Sequence, residues 1–163
     1  MDYCVGLTTN ELKDVADQGN GWAQLFYSFN LANGYGVQKD EAQAVHYLKL
    51  SADQGNADGQ FYYGFRLAYG DGVQKDEAQA AHYFKLSADQ GNADGQFYYG
   101  FRLRYGDGVQ KDEALAVHYL KLSADQGDAR ARVFYDLYLA NVNLTGAAEE
   151  LTDQPSASAP GLS

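Results

Sequence analysis

The sequence predicts an all-α fold, a right-handed α-solenoid of helix-turn-helix repeats with a 36-residue period. Two observations carry this prediction. The segments 57–92 and 93–128 differ at only five of their 36 positions, and the tripeptide Asp-Gln-Gly recurs at the same interval at 17–19, 53–55, 89–91 and 125–127. Apolar residues inside each repeat follow helical spacing. Because one helical hairpin cannot bury its own apolar face, we expect the repeats to stack on one another.

The repeat divides the chain into a half repeat, three whole repeats and a closing half repeat. Residues 1–20 are expected to form an N-terminal segment with a cap that is similar to the second half of a repeat (helix B), whereas residues 129–144 resemble the first half (helix A). The tail 145–163 is rich in Ala, Ser, Pro and Gly, and is expected to be disordered. The three whole repeats are 21–56, 57–92 and 93–128.

Each element of the second repeat has a local signal. Helix A is expected from about Ala57 to Tyr69, followed by a break at the loop 70–72, which has the sequence Gly-Asp-Gly. Asp76 is expected to cap helix B, with Gln79 completing a capping box. Gly91 is expected to end helix B in the left-handed conformation.

A small residue recurs in the middle of helix A, as Ser28, Gly64 and Gly100. An exposed glycine at this place costs about 1 kcal/mol relative to alanine, so its recurrence predicts close contact between helices. The closing half repeat has Asp136 there, which suits a helix whose outer face meets solvent.

Composition argues against several classes of function. The 163 residues carry a net charge of −10, which disfavours binding to nucleic acid or to anionic membranes. Apolar runs are too short for a membrane-spanning helix. Cys4 is the single cysteine and cannot form a disulfide within the chain. With no secretory signal visible at the N-terminus, the expected location is cytoplasmic.

The repeat resembles the Sel1-like repeat family, a relative of the tetratricopeptide repeats. The resemblance covers about residues 9–142, and departures such as Tyr63 and Leu67 keep apolar or aromatic character. It implies a non-enzymatic adaptor or scaffold that binds other proteins. The second repeat matches the family pattern at Ala57, Gly64, Gly70, Gly72, Val73, Asp76, Ala80, Ala88, Gln90 and Gly91.

No catalytic residue, metal site or cofactor is predicted. Histidines recur at His46, His82 and His118, but helices packed about 10 Å apart cannot share a metal whose ligands lie about 2 Å away. The acidic loop after helix A lacks the ligand spacing of a calcium-binding EF-hand. The sequence also has no nucleophile elbow, phosphate loop or zinc-protease motif.

The predicted binding surface rests on the arginines, all five of which fall in helices A. By analogy with tetratricopeptide repeats, helices A line a concave groove, where arginine and aromatic side chains favour protein binding. The predicted partner is a protein or peptide, and arginine would suit an acidic one. The predicted partner-binding residues are Trp22, Phe29, Phe65, Arg66, Tyr69, Phe101, Arg102, Arg104 and Tyr105.

Variation between the copies gives a second criterion for specificity, because positions that differ are free to specialise. One such position reads Trp22, Asp58, Asp94 and Arg130 in successive helices A.

Other interpretations remain open at this point. The aromatic residues also suit a solenoid core, and Arg66 is able to pair with Asp58 or another neighbouring acid. The rival functions are a fragment or consensus-like scaffold with no dedicated ligand, and a hydrolase hidden in the groove. A monomer is expected, with a domain-swapped dimer as the alternative.

Overall fold

The computed structural model describes residues 6–152. Within this range the chain forms eight α-helices and no strand. The helices are α1 (Thr9–Asp17), α2 (Gly21–Asn33), α3 (Glu41–Asp53), α4 (Ala57–Tyr69), α5 (Glu77–Asp89), α6 (Ala93–Tyr105), α7 (Glu113–Asp125) and α8 (Ala129–Thr152).

The helices stack in chain order, as the predicted α-solenoid requires. The pairs α2–α3, α4–α5 and α6–α7 form the three hairpins, and each hairpin packs on the next through its neighbouring helices. Helices A also contact one another, α2 with α4 and α4 with α6. Stability in such a stack is close to a sum of nearest-neighbour interfaces.

A series of hydrogen bonds, here named the tyrosine ladder, joins the helices B of successive repeats. In each rung a tyrosine hydroxyl donates to the aspartate of the preceding Asp-Gln-Gly tripeptide, 30 residues earlier in the chain. The same aspartate accepts from a lysine four residues before it. The rungs are Tyr47 to Asp17 at 2.6 Å, Tyr83 to Asp53 at 2.9 Å, and Tyr119 to Asp89 at 2.6 Å.

The two residues after the third Asp-Gln pair, at 89–90, end one helix and begin the next. Gly91 has φ +90°, so it provides the predicted left-handed end of α5. The Asn92 side chain then accepts a hydrogen bond from the Gly95 N–H at 2.8 Å and caps α6. The recurring tripeptide is therefore a structural motif in the turn between repeats.

Helix B begins as predicted at the Asp76 cap, but the predicted capping box is wrong. The Asp76 carboxylate accepts from the Gln79 backbone N–H at 2.9 Å, and the side-chain amide of Gln79 also donates to this carboxylate, at 3.1 Å. In an ideal box the backbone N–H of Asp76 would donate to Gln79. Here it donates to the Leu67 carbonyl at 3.0 Å. The third repeat therefore begins helix B equally well with Leu115 at this place.

The glycine loops dock each hairpin onto the one before it. Gly108 has φ +70° and lies against the first turn of α5, where an added Cβ would overlap the Glu77 carbonyl. Gly72 occupies the same place one repeat earlier, against Val45. These loops thus need glycine both for the left-handed backbone and for close approach.

The predicted close contact inside the hairpins is confirmed. A Cβ on Gly64 would lie 3.1 Å from the Phe84 ring, and one on Gly100 would lie 2.9 Å from the Leu120 Cγ. Asp136, at the equivalent place in α8, is exposed.

Helix α8 is longer than the sequence predicts. It continues to Thr152, so the disorder expected from residue 145 is wrong for residues 145–152. Alanine, leucine and glutamate, which favour helices, make up residues 147–151. The rest of the expected tail, residues 153–163, lies outside the described residues, as does Cys4.

Candidate functional site

Aromatic side chains form a continuous surface across helices α2, α4, α6 and α8. They recur at the same positions of helix A, with spacings of three and four residues that keep them on one side of the helix. Tyr69 is 62% exposed and Tyr105 is 52% exposed. The surface, here named the aromatic stripe, consists of Phe26, Phe29, Tyr62, Phe65, Tyr69, Tyr98, Phe101, Tyr105 and Phe134.

The stripe is built from one edge-to-face contact that recurs at each junction between helices A. At each junction a phenylalanine contacts the aromatic residue 33 positions later. The distances between ring centres and the angles between ring planes are 5.0 Å and 88° for Phe29–Tyr62, 5.8 Å and 81° for Phe65–Tyr98, and 5.8 Å and 84° for Phe101–Phe134. This geometry is favourable for aromatic pairs, so the rings hold one another in place.

A cavity of about 250 Å³ opens beside the first of these junctions. The core residues near this first junction are smaller than their equivalents at the second junction. Leu25 is equivalent to Phe61, and Leu48 is equivalent to Phe84. At the second junction Phe84 instead stacks on Tyr98 at 5.2 Å. The cavity is lined by Ser28, Phe29, Ala44, Phe61, Tyr62, Phe65, Arg66 and Asp71.

The arginines of helices A are engaged by carboxylates of the protein itself. Each of the five lies within 4.0 Å of at least one carboxylate oxygen. Arg66 contacts Glu41 at 3.1 Å and Asp71 at 2.6 Å. It therefore pairs with neighbouring acids, although with Glu41 and Asp71 instead of Asp58.

Arg102 is the predicted site residue that the structure buries. It is only 8% exposed, and its guanidinium lies 3.5 Å from Glu77 and over the Phe84 ring. The expectation that Arg102 lines the groove is therefore wrong. Its long side chain turns inward to bridge α6 and α5, and its aliphatic part covers apolar surface.

The other predicted residues lie on or beside the stripe. Phe29, Phe65 and Phe101 are half-buried within it. Trp22 is half-buried and stacks on Phe26 at 6.3 Å. Arg104 lies over the Phe134 ring at 5.7 Å and pairs with Glu113 at 3.5 Å.

Sequence reasoning missed one complete row of the stripe, namely Phe26, Tyr62, Tyr98 and Phe134. Looking for positions that vary between copies excluded this row, because it is aromatic in every helix A. Yet Phe26 is 40% exposed and Tyr62 is 38% exposed. Burial raises the pKa of both Tyr62 and Tyr98, so their hydroxyls stay protonated across the physiological range.

Arg130 occupies the variable position at the C-terminal end of the stripe. Its guanidinium lies 4.4 Å from the Phe97 ring centre and 5.6 Å from that of Tyr98. It donates to Asp94 at 2.5 Å and to Asp128 at 2.5 Å. These hydrogen bonds raise the pKa of Arg130, Asp128 being the stronger partner.

Groups suited to chemistry lie away from the stripe. The three histidines are exposed on helices B, each edge-on to the following tyrosine. Ser51, Ser87 and Ser123 are buried, and their hydroxyls donate to carbonyls at the start of helices A. Across residues 6–152 there is no cluster of three or more His, Cys, Asp or Glu residues that could hold a metal ion. No helix in the described part of the chain is long and apolar enough to cross a membrane.

Stacked helical hairpins with a shared aromatic face define a helical-repeat scaffold protein. More particularly, the chain belongs to the Sel1 repeat family, whose pattern matches residues 23–56, 57–92 and 93–128. Proteins of this family are generally scaffolds for protein interaction. No curated protein matches the sequence.

Solved structures of Sel1 repeat proteins are similar to this one. A Sel1 repeat protein from Oxalobacter formigenes is 31% identical with a TM-score of 0.75, over 78% of this chain and 96% of that one. A protective antigen of uropathogenic Escherichia coli with an SLR fold is 31% identical with a TM-score of 0.73, over 77% of this chain and 27% of that one. Cysteine rich protein B of Helicobacter pylori shares the fold at 22% identity and a TM-score of 0.61, over 79% and 98% of the chains.

Proposed function

We propose that the protein is a non-enzymatic interaction module whose aromatic stripe binds a segment of another protein. The observation that carries this proposal is the row of partly exposed rings that crosses three successive helix junctions. Exposed aromatic surface of this extent is typical of binding sites. Aromatic residues also dominate the binding energy of protein interfaces.

The ion pairs argue for an apolar segment and against an acidic one. All five arginines already have carboxylate partners, so an acidic segment would have to compete with them. The cavity beside Phe29 and Tyr62 is large enough for one bulky side chain. An apolar side chain inserted there would gain a binding free energy of about 25 cal/mol for each Å² of apolar surface that it buries.

The proposal is tested by selecting binders from a displayed library of random 12-residue peptides. The selection uses the full chain, and each converged peptide is then measured on a stripe variant. This variant carries Tyr62→Ala, Tyr69→Ala and Tyr105→Ala, three exposed rings on helices A. Converged peptides are expected to lose at least about 100-fold in affinity, because each lost aromatic contact costs about 1 kcal/mol or more.

The matched control removes three exposed rings from helices B, with His46→Ala, His82→Ala and His118→Ala. We expect unchanged affinity there, and circular dichroism shows whether each variant is folded. Peptides that bind the stripe variant as well as the unchanged chain would contradict the proposal. Failure of any peptide sequence to converge would favour a scaffold with no dedicated ligand.

The adaptor role and the cytoplasmic location belong to the same proposal. An adaptor needs a surface that recognises one partner while the rest of the stack holds another at a fixed distance. The acidic exterior, with its net charge of −10, favours solubility at high protein concentration. We propose that the working form is a monomer, since an intact stripe on a single chain suffices for binding.

A further inference from the structure

Arg130 shows how the aromatic stripe accommodates a cation. Its guanidinium covers the ring of Phe97 at 4.4 Å and donates to Asp94, a residue of the preceding helix A. Stacking on an aromatic face combined with a carboxylate partner is a favourable setting for arginine. The protein thus contains one arginine bound to its own stripe.

The same arrangement lacks its arginine one repeat earlier. There the residue equivalent to Arg130 is Asp94, the residue equivalent to Asp94 is Asp58, and Phe61 and Tyr62 replace Phe97 and Tyr98. Asp58 accepts a hydrogen bond from Asn92 at 2.7 Å. In the part of the chain whose side chains are described, no lysine or arginine nitrogen lies within 4.0 Å of the Asp58 carboxylate.

The charge at this place is unbalanced in favour of a cation. Asp58, Asp94 and Asp128 contribute three carboxylates, and Arg130 contributes one guanidinium, which contacts Asp94 and Asp128 but not Asp58. Burial raises the pKa of Tyr62, and the negative charges of Asp58 and Asp94 raise it further. Tyr62 is 38% exposed, so its ring is open to a ligand.

We propose that the partner segment carries an arginine that binds Asp58 over the rings of Phe61 and Tyr62, in the manner in which Arg130 binds Asp94 over Phe97 and Tyr98. This inference rests on the proposed function and names the chemistry of its partner, a basic segment with an apolar anchor. The anchor occupies the cavity beside Phe29, which shares Tyr62 with the arginine site. The two features together require a segment that places a cation next to a bulky apolar side chain.

The test uses the peptides that converge in the selection described above. We expect an arginine next to a bulky apolar residue in them. Replacing that arginine by glutamine, or introducing Asp58→Asn in the protein, is expected to weaken binding about tenfold each, as for other charge-assisted hydrogen bonds. The two changes together are expected to cost little more than either alone, because they remove the same contact.

Asp94→Arg is the sharpest variant, because it places a guanidinium where Arg130 lies in the next repeat. It is expected to fill the site, and so to reduce affinity for the peptide at least about tenfold while the chain stays folded by circular dichroism. The matched control is Asp14→Asn, which removes an exposed carboxylate on α1. This control is expected to leave the affinity unchanged.

The outcomes separate this inference from the proposed function. If converged peptides bind the stripe but carry no cation, or if Asp58→Asn acts no more strongly than Asp14→Asn, the arginine site is wrong and the stripe remains a binding surface. If peptides bind with equal affinity to the stripe variant, the proposed function is wrong, and the arginine site with it.

Discussion

At the scale of single residues, Gly100 sets the distance between the two helices of the third hairpin. A Cβ at this place would lie 2.9 Å from the Leu120 side chain and 3.1 Å from the Ala116 carbonyl oxygen. The carbonyl belongs to the backbone of α7 and cannot turn away as a side chain can. One missing methyl group therefore allows the close packing on which the hairpin depends.

Gly100→Ala is expected to destabilise the protein by about 1–3 kcal/mol, the usual cost of overpacking. Alanine stabilises a helix by about 1 kcal/mol relative to glycine, so a decrease in the free energy of unfolding must come from the steric overlap. Urea unfolding followed by circular dichroism measures it. The control is Gly146→Ala in α8, where nothing beyond the neighbouring backbone of the same helix lies within 4 Å of the added Cβ. Equal stability of the two variants would contradict the close contact.

The residue scale also marks the limit of prediction from sequence. The recurrence of Gly64 and Gly100 was sufficient to predict close helix contact. The placement of Arg102 was not predictable, because a helical position fixes the direction of Cβ but not where a long, flexible side chain ends. Its burial depends on Glu77 and Phe84, which belong to another helix.

At the scale of the elements, the tyrosine ladder joins helices B across successive repeats. Burial would raise the pKa of Asp89, but hydrogen bonds from Lys85 and Tyr119 outweigh it and lower the pKa below its usual value. The same aspartate therefore stabilises its own helix through lysine and the next repeat through tyrosine. Sequence predicted the period of these residues, but not their pairing across 30 positions.

Tyr119→Phe is expected to reduce the free energy of unfolding by about 1 kcal/mol, the typical worth of one hydrogen bond. The ring stays in its edge-to-face contact with Tyr99, 4.9 Å away, so the variant removes the hydroxyl alone. Urea denaturation gives the value. Tyr69→Phe, which removes an exposed hydroxyl, is the control. Indistinguishable midpoints would show that the ladder contributes nothing.

The lowered carboxyl pKa values predict loss of stability in acid. The pKa of Asp17 is lowered, as is that of Asp89. For Asp17 the hydrogen bond from Lys13 is the largest cause and the hydrogen bond from Tyr47 is the next. Because these groups bind protons more weakly in the folded chain, their stabilisation is present above the ordinary carboxyl pKa of about 4 and is lost as the pH falls below it. Melting temperatures between pH 7 and pH 2 measure the effect. A melting temperature that stays level below pH 4 would contradict it.

At the scale of the whole molecule, the chain is a one-dimensional stack. Helices contact their neighbours along the stack, and the repeats 57–92 and 93–128 are nearly the same sequence. Removal of one complete repeat therefore leaves interfaces of the same kind as before. The repeat period alone was sufficient to predict this architecture, because the sequence encodes the same hairpin several times.

Deletion of residues 57–92 is expected to give a folded, cooperatively unfolding protein with a lower melting temperature, since one nearest-neighbour interface is lost. The junction joins Asn56 to Ala93 and keeps the asparagine cap in place. Deletion of residues 57–74 alone removes helix A of that repeat and is expected to prevent cooperative unfolding. Calorimetry compares the two. Unfolding of the first deletion without a cooperative transition would contradict the stack.

The binding face was predicted in part. Phe65, Tyr69 and Tyr105 were accessible from sequence because aromatic residues recur at helical spacing. The row of Tyr62 and Tyr98 was missed, and the pairing of every arginine with a carboxylate was not predictable. These pairs link residues up to 36 positions apart, so they depend on how the repeats stack.

The most direct test of the aromatic stripe as the binding face is a map of backbone amide chemical shifts during titration with a converged peptide. The predicted result is that the largest changes follow helices α2, α4 and α6 along the stripe, centred on Tyr62. The contradicting result is that the largest changes fall on helices α3, α5 and α7, around the exposed histidines.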